Sequence, residues 1–228
     1  MCRSAFLNCS NINSNFSNGG CIYFNQGQCI SYRICSTKSI SLNAGSYCVA
    51  AVSDSSSKNY IFLSSIHPGS STYTSFSFQK GDASVSFVND TDNIAQGNPA
   101  FFTYQCQNFY INYSYFKGNK ATNETQVIFS YFQVSLSEIY SSIFLNNSHV
   151  DAGWGIFGFY NFGIYNFREC IIKYNEHKYL IHVDIPSISI SIIKCLIEEN
   201  TYLYNLLGSA ETHIETTNSL SIELRIFF

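Results

Sequence analysis

Four groups of residues have the types that acid/base, metal or thiol chemistry requires. Asn89-Asp90-Thr91-Asp92 sets two carboxylates two residues apart, a spacing that points both to one side of a strand. His149-Val150-Asp151 and His182-Val183-Asp184 pair an imidazole with a carboxylate at that same spacing, as a metal site or an acid/base pair would. Glu198 and Glu199 stand together beside Asn200. Nine cysteines offer thiol or disulfide chemistry, six of them (Cys2, Cys9, Cys21, Cys29, Cys35, Cys48) within the first 48 residues of the chain.

None of these groups reaches the number of convergent ligands that a metal site demands. The two His-x-Asp pairs lie at +2 and +7 from the repeat anchors described below, so they would not meet on neighbouring turns of a repeat. Blander roles are expected: a solvated polar face for the His-x-Asp pairs, turn capping for Asp90 and Asp92, and a turn charge for Glu198-Glu199. The odd cysteine count and the lack of a C-x-x-C pair fit neither a disulfide framework nor a zinc motif. Cysteine density still favours an extracellular or lumenal compartment, and Cys106, Cys170 and Cys195 are expected as buried thiols. The reading therefore holds no catalytic residue, metal ligand or cofactor.

What positions these groups is a recurring phrase. I-N-Y-S-Y-F-K-G-N ends at Asn119, I-Y-S-S-I-F-L-N-N at Asn147, F-R-E-C-I-I-K-Y-N at Asn175 and I-I-K-C-L-I-E-E-N at Asn200, at steps of 28, 28 and 25 residues. Counting back from each Asn, position −8 is Ile111, Ile139, Phe167 and Ile192; −5 is Ser114, Ser142, Cys170 and Cys195; −3 is Phe116, Phe144, Ile172 and Ile197. Ile61 to Gly69 repeats the pattern, and Val85 to Asn93 repeats it except that Asp90 takes an apolar place. Ile30 to Lys38 and the opening segment ending at Cys9 extend the series at steps of 29 and 31. Self-similarity at such a period marks a solenoid, whose units bury their apolar faces against one another.

A second apolar segment follows each anchor, among them Gly20 to Phe24, Val127 to Phe129, Gly155 to Phe157 and Leu180 to His182. Segments this short, in a chain with 17 Tyr, 20 Phe and 12% charged residues, are strands rather than helices. The expected fold is all-β, a parallel β-helix of about eight coils of 24–31 residues, roughly 38 Å long at the usual strand spacing. Residues 1–228 read as one such domain, with 1–57 forming less regular, cysteine-rich coils and 58–228 regular ones. The anchoring Asn suits a left-handed turn, and its amide can bond to the same amide one coil on. Cys170 and Cys195 share position −5, which predicts a stack of thiols rather than a disulfide. Position −4, Tyr115, Ile143, Ile171 and Leu196, points away from the core and predicts an outer apolar stripe, either a contact surface or the bed of a loop or neighbouring domain.

Twelve basic and fifteen acidic residues, without runs of either sign, disfavour nucleic-acid binding. The start lacks the apolar core of a secretory signal, and no window has the roughly 18 uninterrupted apolar residues of a membrane span. With Ile226-Phe227-Phe228 inside what reads as a strand, both ends are expected to be incomplete, and other segments of a longer chain or a neighbouring copy are expected to cover the solenoid ends.

The phrase, together with Gly19 to Phe24, C-I-S-Y-R-I-C from Cys29 to Cys35 and Lys58 to Ile61, resembles the right-handed parallel β-helix repeat proteins of the pectin-lyase-like superfamily. Within it the chain looks like the cysteine- and asparagine-rich surface proteins of parasitic protists. That resemblance implies a non-catalytic surface solenoid, a scaffold or adhesion module binding a host or matrix protein or a glycan. Enzymes of the superfamily use carboxylate clusters on one outer sheet face. An adjacent Asp pair, Gly-His-Gly and Arg-x-Lys, the marks of a polygalacturonase, do not occur here. A polysaccharide lyase or hydrolase and a purely structural spacer are the alternatives.

Overall fold

The structure is a computed structural model that describes residues 4–7, 10–11, 22–24, 28–41, 45–51, 58–67, 69–71, 74–123, 128–131, 135–149, 155–160, 163–176, 179–183, 188–197, 202–206 and 211–216. Strands of two to six residues dominate, and a strand this short cannot satisfy its own backbone groups. Each is satisfied by lying parallel to the equivalent strand one repeat on, in a 21-stranded sheet and a 6-stranded one.

One turn shows the plan. Tyr115–Lys117 forms the first face, Lys120–Ala121 a short ladder, Ile128–Tyr131 the second face and Leu136–Tyr140 the third; a corner then leads to Ile143–Leu145, on the first face again. Phe116 stands opposite Phe144, Phe144 opposite Ile172 and Ile172 opposite Ile197, so the −3 residues form one column. This is the parallel β-solenoid that the phrase predicts. Its stack amounts to about five turns rather than the eight expected; the difference lies at the ends, where much of each turn falls outside the described residues.

The interior is filled by columns, each side chain lying over its counterpart. Ile61, Val85, Ile111, Ile139, Phe167 and Ile192 form one, all buried. Phe116 stacks on Phe144 with centroids 5.1 Å apart and planes at 3°, and Phe144 meets Phe157 of the second face edge-on at 4.9 Å. Each buried Phe contributes about 1.5–3 kcal/mol. Helix is absent from the described residues, none of which forms a helix long and apolar enough to cross a membrane.

Register corrects one boundary. Ser31, not Ile30, pairs with Ile61, and Ile34 pairs with Ser4, so the second repeat runs one residue later than Ile30 to Lys38. A one-residue shift turns every side chain to the other side of a strand. Ile30 is accordingly 63% exposed while Ser31 is buried.

Two corners recur along the described turns, each turned by one residue in the left-handed region. The first is Arg33, Leu63, Phe87, Tyr113, Ser141, Glu169 and Lys194; the second includes Lys38, Asp92, Gly118, Asn146 and Tyr174. The second corrects the expectation for the asparagines: the residue before the anchor adopts positive φ, leaving the anchor free to turn its side chain inward. There Asn93, Asn119 and Asn147 are buried. Asn119 Oδ1 accepts the Asn93 N–H at 3.0 Å, Asn147 Oδ1 that of Asn119 at 3.1 Å and Asn175 Oδ1 that of Asn147 at 2.9 Å. The amides also meet directly, Asn93 Nδ2 donating to Asn119 Oδ1 at 3.2 Å and Asn147 Nδ2 to Asn175 Oδ1 at 3.0 Å, as expected.

Position −5 makes a parallel ladder at the first corner. Ser114 Oγ accepts the Val88 N–H at 3.2 Å, Ser142 Oγ that of Ser114 at 3.1 Å and Cys195 Sγ that of Cys170 at 3.4 Å. Each hydroxyl or thiol donates to the carbonyl two residues before it, as Ser142 does to Tyr140 at 2.9 Å and Cys170 to Arg168 at 3.4 Å. Cysteine replaces serine as an equivalent small donor and acceptor, so Cys170 and Cys195 are stacked free thiols.

Candidate functional site

The first corner and the outward position before it carry an aromatic ring on five consecutive turns. The rings are Tyr32, Phe62, Phe87, Tyr113 and Tyr140: the first two and the last sit at the end of the third face, the middle two on the left-handed corner itself. Phe87 and Tyr113 stack at 5.0 Å with planes 12° apart, and Tyr113 meets Tyr140 edge-on at 5.4 Å. Tyr60 packs edge-on against Phe62 at 5.7 Å. Tyr32, Phe87 and Tyr113 remain 45%, 38% and 37% exposed, an unusual state for large rings that have near neighbours to stack on. At strand spacing the strip is about 19 Å long.

The backbone holds these rings at a cost. Left-handed φ is unfavourable for a bulky residue by about 1–2 kcal/mol, yet Phe87 (φ 55°) and Tyr113 (φ 50°) adopt it. They are kept there by the neighbouring turn, with Phe87 N–H donating to Asn112 O at 3.0 Å and Tyr113 N–H to Tyr140 O at 3.1 Å. The margins are polar and of mixed sign. The Arg33 guanidinium lies 5.1 Å from the Tyr32 ring centroid, and Arg168 faces Glu138 at 3.8 Å. A hydrogen bond to the Glu169 carboxylate raises the pKa of the Tyr140 hydroxyl above the usual tyrosine value.

The residues singled out by type are scattered. Asp90 is fully buried in the interior column between Ile66 and Phe116, so it does not cap a turn from outside. Its Oδ1 accepts from Asn93 Nδ2 at 2.6 Å, while burial, with the like charge of Asp92 adding to it, drives its pKa well above the carboxylate range. Asp92 is exposed on the second corner, with its carboxylate lying over Gly118. The expected solvated face for the histidines is also corrected: His149 and His182 are buried, on different faces, His149 N–H donating to Glu176 O at 3.2 Å and His182 packing 5.8 Å from the Tyr160 ring. Asp151, Asp184, Glu198 and Glu199 lie outside the described residues. Among the described residues no three His, Cys, Asp or Glu side chains gather as a metal site would need.

Tyr115, Ile143, Ile171 and Leu196 do form one ladder on the outer side of the first face, each half-buried. Cys106 is buried, and its thiol, directed at the Phe78 and Lys80 carbonyls, is pushed up to about 12 by desolvation. Cys35 is disulfide-bonded.

The aromatic strip escaped the sequence reading because it alternates between two repeat positions. Its signal was nonetheless there, in rings recurring at steps of 30, 25, 26 and 27 residues from Tyr32 to Tyr140. No protein-family model, curated protein or solved structure matches the chain.

Proposed function

We propose that the chain is a non-catalytic binding scaffold, a stiff solenoid that presents the strip from Tyr32 to Tyr140 to a glycan or protein partner at an extracellular or cell-surface location. The aromatic strip carries this reading: five successive turns keep a ring at one edge, two of them at a strained backbone position that Gly or Asn would occupy without cost. Aromatic faces suit the apolar sides of sugar rings as well as apolar side chains, and the mixed charges of Arg33, Glu138 and Arg168 favour neither a strongly acidic nor a strongly basic partner. The half-buried ladder from Tyr115 to Leu196 adjoins the strip beyond the corner and widens the apolar surface. The disulfide at Cys35 supports an oxidising compartment. The motifs quoted above support membership of the pectin-lyase-like β-helix group, and with it kinship to protist surface proteins.

The test is binding of the purified chain and of a Phe87→Ser/Tyr113→Ser variant to immobilised neutral and acidic polysaccharides and matrix proteins. At about 0.5–1.5 kcal/mol per ring, the double change weakens retention of the bound ligand roughly tenfold. Its thermal stability stays close to wild type, since both rings are partly exposed. Equal retention by the two proteins would remove the strip from consideration. Release of reducing or unsaturated ends from polygalacturonate would instead establish the catalytic alternative.

A further inference from the structure

The second-corner ladder has an irregular end at Asn93. Asn119, Asn147 and Asn175 each turn Nδ2 to a backbone carbonyl of the preceding turn: those of Asp90 at 3.2 Å, Phe116 at 3.1 Å and Phe144 at 3.0 Å. Asn93 instead turns Nδ2 to the carboxyl of Asp90 in its own turn, 2.6 Å away. The preceding turn has Gly69 at the anchor position, and Gly69 N–H donates to Asn93 Oδ1 at 2.9 Å. Asp90 thus closes the row of amides from inside the core. Its other oxygen, Oδ2, is buried without a hydrogen-bond partner.

An ionised carboxylate there would place a full charge between Ile66 and Phe116, with only the neutral amides of Asn93 and Asn119 to set against the loss of water. Among the described residues no cation compensates it. On its own strand Asp92 is a like charge, exposed at the corner. On the flanking strands His67, bonded to Thr91 Oγ1 at 3.0 Å, and Lys117 are exposed on the outer side. Lys120 on the short ladder is exposed too, and Asp82 on the third face is engaged by Asn108 Nδ2 at 2.8 Å.

We propose that Asp90 is held as a neutral carboxylic acid that locks the end of the asparagine row, and that its ionisation unlocks this turn, making the solenoid a structure strengthened by acid and loosened by alkali. The folded state binds a proton more tightly than the unfolded chain, whose Asp titrates near about 3.9. This stabilisation is complete below that value and is lost as pH rises towards the folded value. Phe87 belongs to the same turn, three residues ahead, so unlocking would also disturb its stack on Tyr113. Only that consequence rests on the proposed binding role; protonation and stability are read without any ligand.

The experiment titrates the side-chain carboxyls of aspartate-labelled protein by carbon-13 NMR and, in parallel, follows the unfolding constant against pH for wild type and Asp90→Asn. One carboxyl should keep its proton well above the ordinary aspartate range and be missing from the variant. The wild-type unfolding constant should rise by up to tenfold per pH unit above about 3.9, relative to the variant. If every aspartate titrates in the ordinary range, or if Asp90→Asn keeps the wild-type pH profile, the proposal is overturned. Should the variant fail to fold, the wild-type NMR titration decides alone.

Discussion

Replacing Asn147 by Ala tests the physical basis of the stack most directly. The side chain is fully buried, and its Oδ1 takes the N–H of Asn119 while its Nδ2 gives to Phe116 O and Asn175 Oδ1. Alanine would strand the Asn119 N–H outright. It would also remove the Nδ2 donor to the Phe116 carbonyl, whereas Asn175 Oδ1 keeps the backbone N–H of residue 147. A stranded buried group costs about 1–3 kcal/mol, so the loss from the two backbone groups is about 2–6 kcal/mol, and about 3 is expected because a carbonyl has a second lone pair. Against a total stability of about 5–15 kcal/mol this is large. With a urea m-value of about 2 kcal/mol/M the midpoint falls by about 1.5 M at unchanged slope. Asn146→Ala is the control, since Asn146 is exposed on the corner at φ 52° and alters only local backbone preference. Amide exchange at Asn119 should quicken in Asn147→Ala and not in the control. A loss below about 0.5 kcal/mol, or one no greater than that of the control, would show that the amide row is not what holds successive turns together.

Two further changes probe local geometry. Gly118→Ala puts a β-carbon at φ +66° and into the Asp92 carboxylate, so thermal unfolding should reveal a loss of about 1–2 kcal/mol that shrinks in an Asp92→Ala background; an equal loss in both backgrounds would dismiss the collision. Cys106, raised to about 12, holds almost no thiolate at pH 8.5, and native protein should leave it unmodified by iodoacetamide until urea unfolds the chain; labelling at the rate of a free thiol, read by mass spectrometry, would contradict its burial.

The interior was the legible part of this sequence, because a residue that must stack on its own counterpart leaves a periodic trace. Ile111, Ser114 and Phe116 could be aligned with Ile139, Ser142 and Phe144 from spacing alone, and the register follows that alignment. The second repeat misled by one residue because Ile30 is an apolar side chain on the outside, while the core position beside it is a serine. Asp90 was recognised as out of pattern, yet its type suggested a turn. Placing it inside requires the partner that Asn93 supplies, and that pairing comes from the fold of the corner. The histidines were assigned to solvent on polarity, but their columns face inward or are covered, as Ala95 and Ala121 before His149 make plain. Strip residues drift between strand end and corner, so a reading tied to one repeat position at a time passes over them.

The buried asparagines also give the molecule a direction. Each side-chain oxygen accepts a backbone N–H from the turn of lower residue number, and from Asn119 onward the nitrogen also reaches a carbonyl of that turn, so the oxygens all point one way along the row. Aligned amide dipoles reinforce one another along such a row. A mirror-fashion partner would present like groups to like at the end of the row. Whatever prolongs this interior must arrive head-to-tail, as a filament grows and a two-fold dimer does not.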